Sequence, residues 1–416
     1  MTAFSALFVA LVALTLIMQQ WLGRRQISHV LSHRNSVPAA FTRNISLESH
    51  QKAADYSIAK TRLGLKESAA SAAVLLLLTL GGGLQLIDST WHAWVSGHAM
   101  LTGILVIATA VLVTSLVDLP FDYYKTFTID ERFGFNKMTP TMFFQDLLKN
   151  ALVGLVMGLP LLLAALWLMQ SSGSYWWLWL WCVWAVFNLL VLAIYPTLIA
   201  PMFNKFSPLT DAALKTRIEA LLAKCGFKSQ GLFVMDGSRR TSHGNAYFTG
   251  FGANKRVVFF DTLLERLDGD EIEAVLAHEL GHFKRRHVIK RIVMMFAVSF
   301  AGLALLGWLK ETDWFYSGLG VATPSDHMAL LLLLLTSPVL TFLLRPLFAA
   351  YARSNEFEAD EYAARHSSAR HLVEALVKLY RDNASTLTPD PLHSAFYDSH
   401  PPASIRVAHL ERLAAA

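Results

Sequence analysis

The chain has 416 residues, long enough for two or three soluble domains, but 54% are hydrophobic and only 16% charged. Soluble proteins carry about a quarter charged residues, so a bilayer is the solvent this composition calls for. The same figures exclude a disordered or collagenous chain and one with nucleic-acid-binding tails, so no nucleic-acid partner is expected. The net charge of +5, from 36 Lys+Arg against 31 Asp+Glu, takes its meaning from where the charges sit. Cys182 and Cys225 stand in unrelated contexts and predict neither a disulfide framework nor a thiolate metal site.

Seven stretches are long enough, at about 17 to 25 residues, to cross a bilayer as helices. They are Ala3–Leu22, Ala69–Ile87, Met100–Val117, Ala151–Met169, Tyr175–Ile199, Ile292–Leu309 and Met328–Phe348. Only the last contains a Lys or Arg, Arg345 near its end. The first lacks a basic leading segment, and Arg24, Arg25 and Arg34 follow it, so it reads as a span rather than a cleaved signal. That order puts the N-terminus outside and the next loop in the cytoplasm. Residues 88–99 and 170–174 hold no Lys or Arg, and 310–327 hold only Lys310. The alternate loops are basic: Lys52, Lys60, Arg62 and Lys66, then Lys125, Arg132 and Lys137, then residues 200–291. An odd number of spans places the C-terminus inside. The Trp-rich start of the fifth segment (Trp176, Trp177, Trp179, Trp181) reads as an interfacial anchor.

The expected division is a membrane domain of five spans (1–205), a first catalytic segment (206–291), spans six and seven (292–348) and a second catalytic segment (349–416). In the first segment a helix is expected over Asp211–Cys225, capped by Asp211, and a strand over Leu232–Met235. A hairpin follows, with arms Ala246–Phe251 and Arg256–Asp261 joined by Gly252–Lys255. Asp268–Arg291 reads as one helix, with Asp268 and Glu271 spaced as a capping box.

That helix carries His278-Glu279-Leu280-Gly281-His282. Histidines four apart lie one above the other on a helix face, about 6 Å along the axis, so both imidazoles can reach one ion. Glu279, one position round, can address a water on that ion without being a ligand. The pattern suits zinc, which takes nitrogen and oxygen ligands and activates water. A third histidine ten positions after the first would mark the metzincin pattern, but that position is Val288, with His287 one step off. Glu356, in Asn355-Glu356-Phe357-Glu358-Ala359-Asp360, is the better third ligand, on a second helix expected to run to about Arg381. Glu358 and Glu361 are its rivals. Asp360 lies one turn beyond Glu356 and could fix a ligand histidine's tautomer. The sixth span goes out and the seventh comes back, so the two ligand helices return to the same membrane face.

With these residues placed, the chain resembles the CAAX prenyl protease 1 family, the sterile-24-type integral-membrane zinc metalloproteases. The resemblance spans nearly the whole chain: Asp55–Leu65 (DYSIAKTRLGL), Leu119–Lys137 (LPFDYYKTFTIDERFGFNK), Pro201–Leu209 (PMFNKFSPL), His243–Gly250 (HGNAYFTG), the zinc motif, Glu356–Asp360 and Ser399–Arg406 (SHPPASIR). It implies a mainly α, multi-pass membrane protein. Seven transmembrane helices would enclose a water-filled chamber, with a zincin-like cytoplasmic catalytic domain containing a small β-sheet. It implies one zinc ion per chain on His278, His282 and Glu356, with Glu279 as general base. Asn245, Ala246, Tyr247 and Phe248 match the edge strand on which an extended substrate lies, a mode that offers sequence-tolerant main-chain pairing. His400 and Arg406 match a pair that approaches the reacting carbonyl or the metal-site carboxylates. The loop Thr128–Lys137 is expected to pack between the spans and the catalytic domain.

Three functions compete. One is CAAX-type processing of peptide or protein substrates that are prenylated or otherwise membrane-anchored. Another is quality control of damaged membrane proteins by the same chemistry, as in HtpX-like proteases. The third, a seven-span metal transporter, would place ionisable residues within its spans, which are nearly charge-free here. The short loop 310–327, and a tail ending in Ala414-Ala415-Ala416 without a dilysine signal, point to a bacterial inner membrane. No feature of the sequence speaks to oligomeric state.

Overall fold

Long apolar runs with basic flanks become helices that only a bilayer can surround. The computed structural model describes residues 2–227, 229, 231–249 and 256–415. The membrane part begins with α1 (Ala3–His33), α2 (Leu47–Leu78), α3 (Gly83–Trp94), α4 (Ala99–Tyr124), α5 (Pro140–Ser171) and α6 (Trp176–Ile194). A π-helical turn at Lys125–Asp130 extends α4, and another at Tyr195–Ile199 joins α6 to the short α7 (Ala200–Phe203). Five segments, Ala3–His33, Ala99–Asp130, Pro140–Ser171, Gly173–Phe203 and His287–Leu309, are long and apolar enough to span. Two bent helix pairs raise the number to seven if each is one span.

The bends correct two predicted spans. The stretch Ala69–Ile87 is not one helix, because α2 and α3 meet at 52°. Thr79 ends α2 by bonding its hydroxyl to the Leu75 carbonyl at 2.6 Å, and Gly82 then adopts a left-handed φ of 78°. Glycine adopts that conformation without steric cost. Likewise Met328–Phe348 straddles a 66° bend between α13 (Asp326–Phe342) and α14 (Arg345–His366). Pro346 lacks an N–H and clashes with a preceding helical turn, so it opens α14 rather than prolonging α13.

The spans pack on one another through Leu84, Val106, Leu306, Met328 and Leu332, which are fully buried. Their outer faces stay apolar: Leu77, Val156 and Val186 keep 65%, 67% and 66% of their surface exposed. Lipid is the environment in which such a surface costs nothing.

The polar domain has its own core. A four-stranded sheet comprises β1 (Phe206–Pro208), β2 (Leu232–Met235), β3 (Ala246–Thr249) and β4 (Arg256–Phe260), in the order β1-β2-β4-β3. The expected strand at Leu232–Met235 and both hairpin arms are present, whereas β1 was not foreseen. The hairpin's turn, Gly252–Lys255, and the end of its first arm lie outside the described residues. Helices α8 (Ala212–Lys224), α9 (Asp261–Leu264), α10 (Gly269–Lys284), α15 (Ala369–Asp382) and α17 (Ala403–Ala415) complete the domain. Val257, Phe259, Ala274, Leu276 and Leu280 are fully buried between sheet and helices. α8 is capped by Asp211, whose Oδ1 accepts from the Leu214 N–H at 3.0 Å, and α10 opens with the expected capping box.

Two helices expected to be continuous are broken. The one read over Asp268–Arg291 ends at Lys284, and Arg286 (φ 59°) starts a new helix, α11 (His287–Leu309). The ligand helix therefore does not run straight into the sixth span. The helix expected from Glu356 to Arg381 stops at His366, and Ser368 caps α15 by accepting from the His371 N–H at 3.3 Å. The remaining helices, α12 (Asp313–Gly318) and α16 (Pro391–Tyr397), are short connectors.

Candidate metal centre

α10 and α14 cross at a glycine. A Cβ built on Gly281 would meet the Ala359 Cα at 2.9 Å, so only the bare backbone allows this approach. The crossing brings the His278 and His282 rings against Glu356, and the donor atoms of all three lie within 4.8 Å of one another. The two Nε2 atoms are 3.1 Å apart. Glu356 Oε1 lies 3.2 Å from His282 Nε2, and its Oε2 lies 3.5 Å from His278 Nε2. This is the one such triad of potential ligands among the described residues. Of the rival carboxylates, Glu358 pairs with His287 at 3.2 Å and Glu361 with Arg365 at 3.7 Å.

The electrostatics suit a cation. Glu356 Oε2 is buried without a hydrogen-bond partner, its nearest cation being the Arg406 guanidinium at 3.4 Å, which leaves a lone pair for a ligand ion. Burial opposes ionisation of Glu356, but His278 and His282 outweigh it and hold the carboxyl far below the usual range. Burial and the Arg406 charge disfavour a proton on His278, yet Asp360 and Glu356 lift its pKa to about 9. So much negative potential on two imidazoles and a carboxylate draws a proton or a metal ion. The residues present therefore fit a bound metal.

Around the triad, His278 Nδ1 lies 2.8 Å from Asp360 Oδ1, and Asp360 is fully buried. Arg406 grips Asp360 with Nε and Nη2 at 2.8 and 2.7 Å, while its Nη1 lies 3.4 Å from Glu356 Oε2. Burial holds the Glu279 carboxyl above its ordinary pKa.

Residues 26–205 match the family described as CAAX prenyl protease N-terminal, five membrane helices, and residues 208–414 match Peptidase family M48. The chain is 32% identical to the CAAX prenyl protease 1 homolog of Caenorhabditis elegans over 97% of both chains. It is 31% identical to CAAX prenyl protease 1 of Saccharomyces cerevisiae, over 90% of this chain and 88% of that one. The crystal structure of S. mikatae Ste24p is similar, with a TM-score of 0.89 at 28% identity over 99% of each chain. This chain belongs to the CAAX prenyl protease 1 family.

It is thus an integral-membrane metalloendopeptidase, and membership of a peptidase family disposes of the transport alternative. For a CAAX prenyl protease 1 family member, the surroundings of the triad acquire a direction. Between the two expected locations of Arg406, the geometry favours the carboxylates: the residue is 4% exposed and its guanidinium sits on Asp360 and Glu356. His400 is different. Its side chain keeps 63% of its surface open, with Nε2 3.5 Å from Glu356 Oε1.

β3 is the end strand of the sheet and packs against α10. The Asn245 carbonyl accepts from the Phe260 N–H at 3.0 Å, and Tyr247 stands opposite Val258. By antiparallel alternation, Ala246 and Phe248 turn their N–H and C=O groups to the open edge. Asn245 Oδ1 meets the Ala246 N–H at 2.8 Å. Burial pushes the Tyr247 phenol up to about 12, so it is neutral at physiological pH.

The loop Thr128–Lys137 lies where its expected packing role requires. Phe135 stacks on His243 with centroids 4.4 Å apart, the Lys137 N–H donates to the Arg240 carbonyl, and Asp130 accepts from the Tyr56 hydroxyl. Sequence reasoning missed Arg353, one turn before Glu356 on α14. Its Nη1 reaches the carbonyls of Ser394, Ala395 and Asp398 at 3.2, 3.3 and 2.8 Å, holding the segment that leads into His400. A lone arginine on a polar helix carries no signal for that task.

Proposed function

We propose that the protein is a zinc endopeptidase in which His278, His282 and Glu356 hold the ion and Glu279 is the general base. The observation that carries this is the convergence of two imidazole Nε2 atoms and a carboxylate, with Glu279 adjoining His278 on the same helix. Such a donor set suits zinc. When bound, the ion would polarise the scissile carbonyl and lower the pKa of a water.

The chain's own residues supply the rest. Glu279, with its raised proton affinity, takes a proton from the attacking water and hands it to the leaving amine. His400, open to solvent beside Glu356, can donate to the oxygen that gains charge as the carbonyl becomes tetrahedral. Arg406 neutralises Asp360, which in turn orients His278. An extended substrate pairs with the free edge of β3 at Asn245–Phe248, displacing the Asn245 side chain from the Ala246 N–H.

Relatives named CAAX prenyl protease 1 support a substrate whose C-terminal or membrane-anchored segment is prenylated. The basic loops on one side of the spans support an outer N-terminus and a cytoplasmic catalytic domain, and the short loop 310–327 supports a bacterial inner membrane. In the proposed division at 205, 291 and 348, the first boundary is supported by the two family matches, which part between residues 205 and 208.

Glu279→Gln tests the mechanism. The purified variant should keep one zinc per chain by elemental analysis, while hydrolysis of a quenched-fluorescence peptide falls by at least about 10²- to 10⁴-fold. Hydrolysis at the wild-type rate would overturn the assignment.

A further inference from the structure

The two histidines at the metal centre are held differently. His278 Nδ1 faces a carboxylate directly, Asp360 Oδ1 at 2.8 Å. Among the described residues, no carboxylate meets His282 at Nδ1. Instead that atom lies 3.0 Å from His287 Nδ1, and His287 Nε2 lies 3.2 Å from Glu358 Oε2. We infer that His287 and Glu358 form a positioning relay that aims His282 at the ion. The inference rests on the proposed role of His282 as a ligand.

Only one arrangement of protons satisfies the three residues. To bind a metal, His282 Nε2 must present a lone pair, so its proton sits on Nδ1. His287 Nδ1 must then accept that proton's hydrogen bond, which leaves its own proton on Nε2. Glu358, a carboxylate, accepts from Nε2. Burial of His287, which is 5% exposed, keeps water from competing for these bonds. A ligand histidine fixed in this way cannot rotate or change tautomer without breaking a hydrogen bond of the relay.

The backbone is bent to make the contact. In a continuous helix, residue 287 would sit five positions after 282, about 140° round the axis and off its face. Arg286 instead adopts a left-handed φ of 59°, which non-glycine residues rarely do, and α11 begins at His287 with its ring against His282. The same helix, α14, supplies all three carboxylates. Glu356 points into the triad, Asp360 one turn later meets His278, and Glu358 between them meets His287.

The test measures zinc affinity of the full-length protein in detergent by competition with a chelator. His287→Ala should bind zinc about ten- to a hundredfold more weakly, the usual cost of losing such a partner. His287→Asn, whose Oδ1 can stand near the lost Nδ1, should recover most of that loss. At saturating zinc, KM for a peptide should be unchanged in both. Glu358→Ala, whose side chain is 40% exposed, should weaken zinc binding in the same direction. Wild-type affinity in His287→Ala or in Glu358→Ala overturns the relay, as does a His287→Asn variant no better than His287→Ala. Glu356→Ala measured alongside separates the two levels. Unchanged zinc affinity there defeats the ligand assignment itself, whereas loss there with intact His287→Ala affinity defeats only the relay.

Discussion

The crossing of α10 and α14 and the lipid-facing side of α5 are both helical, yet they are built on opposite terms. At the crossing, Gly281 touches backbone, and Glu356, Asp360 and Arg406 are buried charges that neutralise one another. On α5, Gly154 and Gly158 have nothing within 4 Å of a built Cβ, and Leu155 and Val156 face outward. A surface solvated by lipid asks only that a residue be apolar and helical. A buried ionic cluster asks that every atom have its partner, because each charge costs several kcal/mol if left alone. The difference teaches that hydrophobicity places this chain in the membrane, while a handful of close contacts decides whether it has an active site.

The largest effect should come from Arg406→Ala, which strands Asp360 and weakens the balance on Glu356. Removing one partner of a buried pair costs about 3–5 kcal/mol, to be read from thermal unfolding in detergent. The same pair has a pH signature. Burial opposes ionisation of Asp360, but His278 and Arg406 outweigh it and depress its pKa in the folded protein. Its stabilisation is therefore fully present above the unfolded value of about 4 and is lost as pH falls through the lower folded value. Asp360→Asn should flatten the acid limb of the unfolding curve. An unaltered limb would show that the pair contributes nothing to folding.

Gly281→Ala comes next. Its added methyl must push α10 from α14, a cost of about 1–3 kcal/mol by overpacking, accompanied by weaker zinc binding. Normal zinc content in that variant would show the crossing to be more compliant than its geometry implies. Gly158→Ala should do least. Its methyl enters open space on a lipid-facing helix, so unfolding should stay within about 1 kcal/mol of wild type. A large loss would mean that this side of α5 packs on a protein partner rather than on lipid.

Much of the site was legible because its chemistry obeys local periodicity. His278, Glu279 and His282 follow from helical spacing, and Glu356 from an acidic cluster placed by topology. The strand Leu232–Met235 and the hairpin arms follow from apolar runs between turn residues. The bends between α2 and α3 and between α13 and α14 had visible causes in Gly81-Gly82-Gly83 and Pro346, yet unbroken hydrophobicity masked them. The break at Arg286 had no such cause. No Gly, Asn or Pro marks it, and contacts of His287 with His282 and Glu358 accompany it. β1, three residues long, pairs only because β2 offers it an edge.

The sequence by itself determined that this chain crosses a membrane, which loops are basic, and that an α-helix carries two imidazoles and a carboxylate at metal-binding spacing. Those properties depend on residues within a few turns of one another. Tertiary structure alone decided that Glu356 rather than Glu358 or Glu361 meets the histidines. It also committed Arg406 to Asp360 and Glu356, and gave His282 a histidine in place of a carboxylate as its second partner. Carboxylates two and five positions apart are chemically equivalent along a chain. Only the crossing at Gly281 and the turn at Arg286 make their surroundings different.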